Sequence, residues 1–194
     1  MKEIKGDLIK LALEGEFDAI AHGINCFNTQ KKGLAPQMVK AFGTDKGYPG
    51  WFTMEGEMNK GKINKLGVID ATEFFVYRNE HDITLAKHSE RYILRNFIEP
   101  NKRSNHGGKV IKESLWVINC YTQYEWKGMR NNISPFDYEA FTLCMKKINH
   151  TFKGRHIGLP LIGCGLAGAE FSKVKQIIEQ ELVDMEVTIV HYKK

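Results

Sequence analysis

A glycine-rich segment near the end of the chain constrains its fold most. Residues 155–168 read RHIGLPLIGCGLAG, which predicts a buried strand and then a loop containing Gly163, Gly165 and Gly168. A helix is expected to begin near Glu170, since apolar residues follow at helical spacing. Glycines allow a ligand close to the backbone, and the first turn of a helix attracts anions. The segment predicts a site for a phosphate or diphosphate; the alternative is a tight strand-to-helix turn.

The position of this loop argues against an ordinary dinucleotide-binding fold. Its G-x-G-x-x-G spacing matches the dinucleotide fingerprint, but that fingerprint normally follows the first strand and precedes several strand–helix units. Here only one predicted helix and one strand come after it, and no Walker lysine follows the last glycine. The loop therefore closes a domain instead of opening one.

Composition is that of an ordinary globular protein. The 194 residues, 42% of them hydrophobic, suit a single domain spanning 1–194. No apolar run of about 18 residues and no signal-peptide pattern is present, so we expect a cytoplasmic protein without membrane contact. The four cysteines are scattered without zinc spacing, which predicts no metal site and no cofactor. The net charge of +5 suits an anionic ligand or a weak nucleic-acid contact.

Strand and helix patterns alternate along the chain, which predicts an α/β sheet with helices on both faces. Ser134 and Asp137 suggest a capping box for one helix. The predicted strands are 1–5, 17–23, 66–77 (with a possible hairpin), 115–120, the segment before Gly163, and 186–192. The predicted helices are 34–42, 51–59, 136–152 and the one near Glu170.

A charge-rich excursion at about 78–113 fits this pattern least. It holds His81, His88 and His106 without ligand spacing, and a turn run at 101–108. One interpretation is a solvated excursion from the sheet. The other is a lid or a partner surface, since long loops often carry function.

Three loops leave predicted strands at their carboxyl ends, where ligands bind in open α/β sheets. They cover 22–33, 121–130 and 163–168. Together they predict a cleft rich in backbone N–H donors and poor in carboxylates. Such a cleft suits a phosphorylated ribose or a nucleotide.

Five segments make the chain resemble a macrodomain over nearly its whole length. They are IKGDLIK at 4–10, DAIAHGINCFNTQKKGLA at 18–35, VINCYTQ at 117–123, FDYEAF at 136–141 and LPLIGCGLAGAEF at 159–171. The chain is most similar to stand-alone bacterial and phage macrodomains, near the terminal-ADP-ribose hydrolase and ADP-ribose 1''-phosphate phosphatase branches. The resemblance implies a three-layer α/β/α fold with a mixed, mostly parallel central sheet.

The resemblance also implies a site for ADP-ribose or a close derivative, with an ADP-ribosylated macromolecule as a further partner. Asp7 resembles the acid that accepts from the adenine amino group; otherwise it caps a helix or turn. Leu8 is a backbone contact. Tyr192 or His191 would stack on adenine, or simply pack on the sheet.

The remaining matching positions lie in the phosphate loops and around the distal ribose. Asn25 would face the distal ribose or be a turn residue, and His22 lies where many macrodomains have asparagine. Lys31 and Lys32 replace family glycines, and either add charge near the diphosphate or point to solvent. The other matching positions are Gly33 in the first phosphate loop, Gln123 after the central strand, and Gly163, Cys164, Gly165, Leu166, Ala167 and Gly168 in the second.

Catalysis is where the chain departs from the family. One hydrolase branch has an Asp where this chain has Ala35, and another uses a Lys and an Asp where it has Gln123 and Ala167. Neither alanine nor glutamine can replace these groups. Asn25 and His22 remain as catalytic candidates, His22 as a base or nucleophile near neutral pH. The sequence thus predicts a 1''-phosphate phosphatase or ADP-ribosyl hydrolase, with a non-catalytic reader or nucleotide sponge as the alternative.

Overall fold

The computed structural model describes residues 1–46, 63–78, 83–87, 111–125 and 134–192. The predicted helix at 51–59 and most of the 78–113 excursion lie outside these residues. The described strands are β1 (Lys2–Gly6), β2 (Ala19–Asn25), β3 (Ile69–Arg78), β4 (Ile83–Lys87), β5 (Ile111–Gln123), β6 (His156–Leu159) and β7 (Glu186–Tyr192). The helices are α1 (Leu8–Glu14), α2 (Ala35–Phe42), α3 (Tyr138–Thr151) and α4 (Phe171–Glu181).

All seven strands belong to one mixed sheet in the order β1-β7-β6-β2-β5-β3-β4. Parallel pairing joins β1, β7, β6, β2 and β5. β3 pairs antiparallel with β5, and β4 pairs antiparallel with β3. The parallel strands therefore end at the same edge, and the loops after β2, β5 and β6 meet there.

Helices cover both faces of the sheet, as predicted for a three-layer α/β/α fold. On one face, α3 and α4 bury Phe141, Met145 and Ile178 against the sheet. On the other face, Met38 of α2 packs with Leu8 of α1 and with apolar residues of β2, β3 and β5. Among the described residues, no helix is long and apolar enough to cross a membrane.

Three local predictions need correction. No helix is predicted from the sequence at 8–14, where the structure has α1. The strand predicted at 115–120 extends over Ile111–Gln123, because its polar first residues pair with β3. The capping box is wrong, since Asp137 alone caps α3 by accepting from the Ala140 N–H at 2.8 Å. The Ser134 hydroxyl instead donates to the Ala167 carbonyl at 2.5 Å.

Replacing the α3 cap tests this assignment. We expect Asp137→Ala to lower the free energy of unfolding by about 1 kcal/mol, because the Ala140 N–H loses its acceptor. Asp137→Asn, which keeps that acceptor, should stay close to the wild type. Denaturant unfolding of the three proteins is the measurement, and equal losses in both variants would contradict the capping role.

Candidate functional site

A cleft of about 700 Å³ lies beyond the carboxyl ends of β2, β5 and β6. Its walls come from three places: residues 22–25 and 27–35 at and after the end of β2, Gln123 with Pro135, and residues 160–163 and 165–167 after β6. The predicted site residues that line it are His22, Asn25, Gly33, Gln123, Gly163, Gly165, Leu166 and Ala167. The described parts of the three loops predicted to form a cleft thus meet in one, and positions 126–130 of the second loop lie outside the described residues.

The loop after β2 is shaped by the buried side chain of Asn25. Its carboxamide oxygen accepts from the N–H groups of Phe27 and Thr29, and its amide donates to the Thr29 carbonyl at 2.9 Å. This is an Asx-type turn, in which the side chain replaces backbone partners. The turn interpretation of Asn25 therefore holds, and its second amide hydrogen has no acceptor among the described residues.

The two glycine-containing loops present backbone donors without internal acceptors. In the described part of the chain, the N–H groups of residues 30–34 donate to no protein atom. The same is true of Gly165, Leu166 and Ala167 in the second loop. All of these residues line the cleft. Consecutive N–H groups of this kind form concave anion sites.

The second loop divides into residues that face the cleft and residues that close the loop. Cys164 donates its N–H to the Leu161 carbonyl, and Gly168 donates to Gly165 at 3.0 Å. Neither Cys164 nor Gly168 lines the cleft. Of the six positions that match the family loop, these two shape the backbone and the other four form the wall.

Two glycines of this loop are required for different reasons. Gly163 has φ 77°, and a Cβ there would lie 2.3 Å from the Phe136 ring. Gly165 has no such backbone constraint, and a Cβ there would meet no atom within 4 Å. Gly163 is therefore needed for the fold of the loop, whereas Gly165 leaves open the space that a ligand would use.

Charge at the cleft has one sign among the described residues. Lys31 and Lys32 line it and are exposed, and no described Asp or Glu does. An anion in the cleft would meet N–H dipoles and ammonium groups without a facing carboxylate. The cleft is thus suited to a ligand with several negative charges.

His22 lies at the floor of the cleft but is almost fully buried, with 2% of its surface exposed. Its Nε2 lies 2.7 Å from Oδ1 of Asn119, which can only accept, so Nε2 carries the hydrogen. Burial lowers the pKa of His22 to about 4, against the hydrogen bond to Asn119, which raises it. The imidazole is therefore neutral near pH 7.

His22 belongs to a polar row that sequence reasoning missed. Asn119 of β5 pairs in register with His22 on one side and with Asp70 of β3 on the other. The Asn119 amide donates to Asp70 at 2.8 Å, and the Tyr121 hydroxyl donates to the same carboxylate at 2.9 Å. Burial and the neighbouring Asp70 charge raise the pKa of Tyr121. The polar Asn119 within the apolar run LWVINC was the one signal in the sequence that could have indicated this row.

Gln123 ends β5 and also holds its own loop. Its side-chain amide donates to the Glu125 backbone carbonyl at 2.9 Å, and its own backbone carbonyl accepts from the Cys26 N–H at 3.1 Å. It lines the cleft opposite the second loop, so a role at the distal ribose stays a prediction.

The predicted adenine contacts lie at the flank of the sheet. Asp7 follows β1 and caps α1 by accepting from the Lys10 N–H at 3.0 Å, which confirms the helix-cap interpretation. Its second oxygen takes no hydrogen bond from the described chain. Leu8 is buried, so only its backbone could meet a ligand. From the spacing of strands, Asp7 lies roughly 14 Å across the sheet from the end of β2.

The two candidates for stacking on adenine differ in their surroundings. His191 contacts Glu3 at 2.8 Å and meets the Phe171 ring edge-on. Tyr192 ends β7 in register with Gly6, with 60% of its surface exposed. Tyr192 is thus the better placed of the two for a ligand beside Asp7.

Comparison with known proteins gives the fold a family name. No protein-family model matches the chain. An uncharacterised 17.5 kDa protein from the tk–vs intergenic region of Enterobacteria phage T4 is 26% identical over 200 residues, which cover 99% of this chain and 96% of that protein.

Two solved structures share the architecture. The macrodomain of Thermus aquaticus DarG superposes with a TM-score of 0.54 at 20% identity, over 100% of this chain and 97% of that one. Thermosipho africanus DarTG in complex with ADP-ribose gives 0.56 at 18% identity, over 97% of this chain and 40% of that one. The chain therefore has the macrodomain fold, as the resemblance in its sequence predicts.

The buried state of His22 predicts a specific dependence of stability on pH. The folded pKa of about 4 lies below the ordinary value of 6.5, so the unfolded chain binds the extra proton first. The neutral His22 makes its full contribution to the free energy of unfolding above pH 6.5. That contribution falls by roughly 3 kcal/mol as the pH falls towards 4.

A matched variant isolates this contribution. His22→Gln keeps an N–H donor for Asn119 but does not titrate. We expect its free energy of unfolding to fall less steeply than that of the wild type between pH 6.5 and 4.5. Equal slopes in denaturant unfolding across this range would contradict the neutral, buried histidine.

Proposed function

We propose that this protein binds ADP-ribose, with the diphosphate held between the loop after β2 and the loop after β6. The observation that carries the proposal is that residues 30–34 and 165–167 line one cleft, and that their N–H groups have no acceptor among the described residues. Phosphate oxygens satisfy such donors, and hydrogen bonds to charged groups contribute about 1.5–3 kcal/mol each.

The distribution of the other candidate residues supports an extended nucleotide. Asp7 and Tyr192 lie on the flank where β1 and β7 end, and Asn25 and Gln123 lie beyond β2 and β5. A ligand with its adenine at Asp7 would pass the glycine loop of β6 before reaching Asn25. ADP-ribose, with its diphosphate between two ribose groups, has this order.

The geometry supports binding better than it supports turnover. A general base must reach the reacting group and have a pKa near the working pH. Among the described residues that line the cleft, the titratable side chains are His22, Lys31 and Lys32. His22 is buried and bonded to Asn119, and Asn25 holds its own loop. We therefore propose that the protein is a reader or sponge of ADP-ribose. The phosphatase and hydrolase activities are the alternatives, and the turnover experiment below tests them.

The glycine loop provides the first test of binding. Gly165→Val should fold, since a Cβ at this position meets no atom within 4 Å, but the side chain would fill the space next to the free N–H groups. We expect affinity for ADP-ribose to fall on the order of 100-fold, as expected for two lost phosphate contacts. Isothermal titration calorimetry is the measurement.

The neighbouring residue supplies the control for this variant. Cys164→Ala changes the same loop without adding volume at the cleft and should bind like the wild type. A folded Gly165→Val protein with normal affinity would remove the diphosphate from this loop.

Asp7 provides the second test, since two variants separate its two roles. Asp7→Asn keeps the α1 cap but replaces the free carboxylate oxygen by an amide, whereas Asp7→Ala removes both. We expect both variants to weaken ADP-ribose binding by about 1–3 kcal/mol, because the adenine amino group loses its acceptor. Only Asp7→Ala should also lose stability. Normal affinity in Asp7→Asn would exclude Asp7 from the adenine site.

The alternative activities are tested by turnover. Purified protein should release little phosphate from ADP-ribose 1''-phosphate, and little ADP-ribose from modified protein or DNA. Phosphate release that disappears in His22→Gln while ADP-ribose still binds would overturn the binding-only proposal in favour of a phosphatase.

A further inference from the structure

Gln30 and Thr44 form a reciprocal hydrogen-bonded pair beneath the first phosphate loop. The Thr44 hydroxyl donates to Oε1 of Gln30 at 2.7 Å, and Nε2 of Gln30 donates to the Thr44 carbonyl at 2.9 Å. Thr44 begins a short 3₁₀ helix, Thr44–Lys46, directly after α2. The pair therefore joins the two ends of the segment from the first loop through α2.

The Gln30 side chain is fully engaged with the protein. Its second amide hydrogen goes to Oδ1 of Asn28 at 2.7 Å, so both N–H bonds and the oxygen have partners. Gln30 and Thr44 are each only 8% exposed. Although Gln30 lines the cleft, its side chain has no amide hydrogen left for a ligand.

On the inner side, the pair is anchored to the centre of the sheet. The Thr44 carbonyl also accepts from Nδ2 of Asn119 at 3.1 Å. Asn119 in turn bonds to His22 of β2 and Asp70 of β3. Through Thr44, the first loop is thus connected to three neighbouring strands at the centre of the sheet.

On the outer side, Asn28 fixes the start of the donor run. Its φ of 56° is the left-handed conformation that asparagine tolerates better than most residues. Its side-chain amide donates to the Asp45 carbonyl at 2.6 Å, and its backbone N–H donates to Asn25. The chain therefore enters residues 30–34 in a direction set by side-chain hydrogen bonds.

We infer that Gln30 and Thr44 are positioning residues that hold the N–H groups of 30–34 towards the phosphates of the ligand. This inference rests on the proposed binding of ADP-ribose. A loop fixed before binding loses little conformational entropy when the ligand arrives, whereas a loosened loop must be ordered at that moment. The two side chains act on affinity without touching the ligand.

The matched variants Thr44→Val and Thr44→Ser test the inference. Valine has nearly the shape of threonine but leaves Oε1 of Gln30 without its donor, and serine keeps the hydroxyl. By calorimetry, Thr44→Val should weaken ADP-ribose binding up to about tenfold, the range of one net hydrogen bond. Thr44→Ser should restore affinity to within about twofold of the wild type.

A ligand series separates positioning from general damage. ADP carries the diphosphate and adenosine does not. In a titration followed by NMR, Thr44→Val should therefore weaken the binding of ADP and leave the binding of adenosine unchanged. Gln30→Met, which removes the same pair from its other side, should reproduce the loss. The double variant should lose no more than Gln30→Met alone, because both changes break one unit.

The possible failures are distinct. A wild-type protein that binds no ADP-ribose would overturn the proposed function, and this inference with it. Wild-type binding with equal affinities for Thr44→Val and Thr44→Ser would overturn the positioning role alone. An equal loss for adenosine and ADP would also overturn it, since the pair would then support the fold in general.

Discussion

The cleft depends on the hydrogen bonds that the side chain of Asn119 makes. Asn119 lies on β5, between β2 and β3 in the sheet, and its side-chain oxygen and both amide hydrogens have protein partners. A buried carboxamide is costly unless its groups are satisfied, so its partners must stand where they are. Those partners are His22, Asp70 and Thr44, one on each neighbouring strand and one beneath the first loop. The polar row therefore sets the loop geometry from inside the sheet.

Side chains from a neighbouring segment also hold the glycine loop after β6. Ser134 donates to the Ala167 carbonyl, the Tyr138 hydroxyl accepts from the Glu170 N–H, and Phe136 packs against Gly163. These residues belong to the segment that leads into α3. Each loop is thus fixed by side chains from an adjacent segment, while its own N–H groups remain available to the cleft. A loop that satisfied its donors internally would have nothing to offer an anion.

Strong local signals in the sequence predicted the framework correctly. The apolar runs of β2 and β5, the glycine loop after β6, and α4 beginning after Glu170 are all confirmed. The meeting of three loops in one cleft followed from parallel topology. α1 was missed because its seven residues are too short for a clear helical period, and the length of β5 because its polar end is fixed by pairing with β3. Element boundaries depend on such pairings, which a sequence does not display.

The internal bonding of the site residues was less accessible from the sequence. His22 in isolation suggests a base near neutral pH, and only its register with Asn119 reveals a buried donor with a depressed pKa. Ser134 suggests a helix cap, but its hydroxyl donates to a carbonyl 33 residues away, at Ala167. In both cases the residue type indicated a polar role, but the sequence did not show which residue would be the hydrogen-bond partner. The fold brings such partners together through the order of its strands. Residue types at strand ends therefore identify a candidate site, whereas their chemistry follows from neighbours that only the fold brings together.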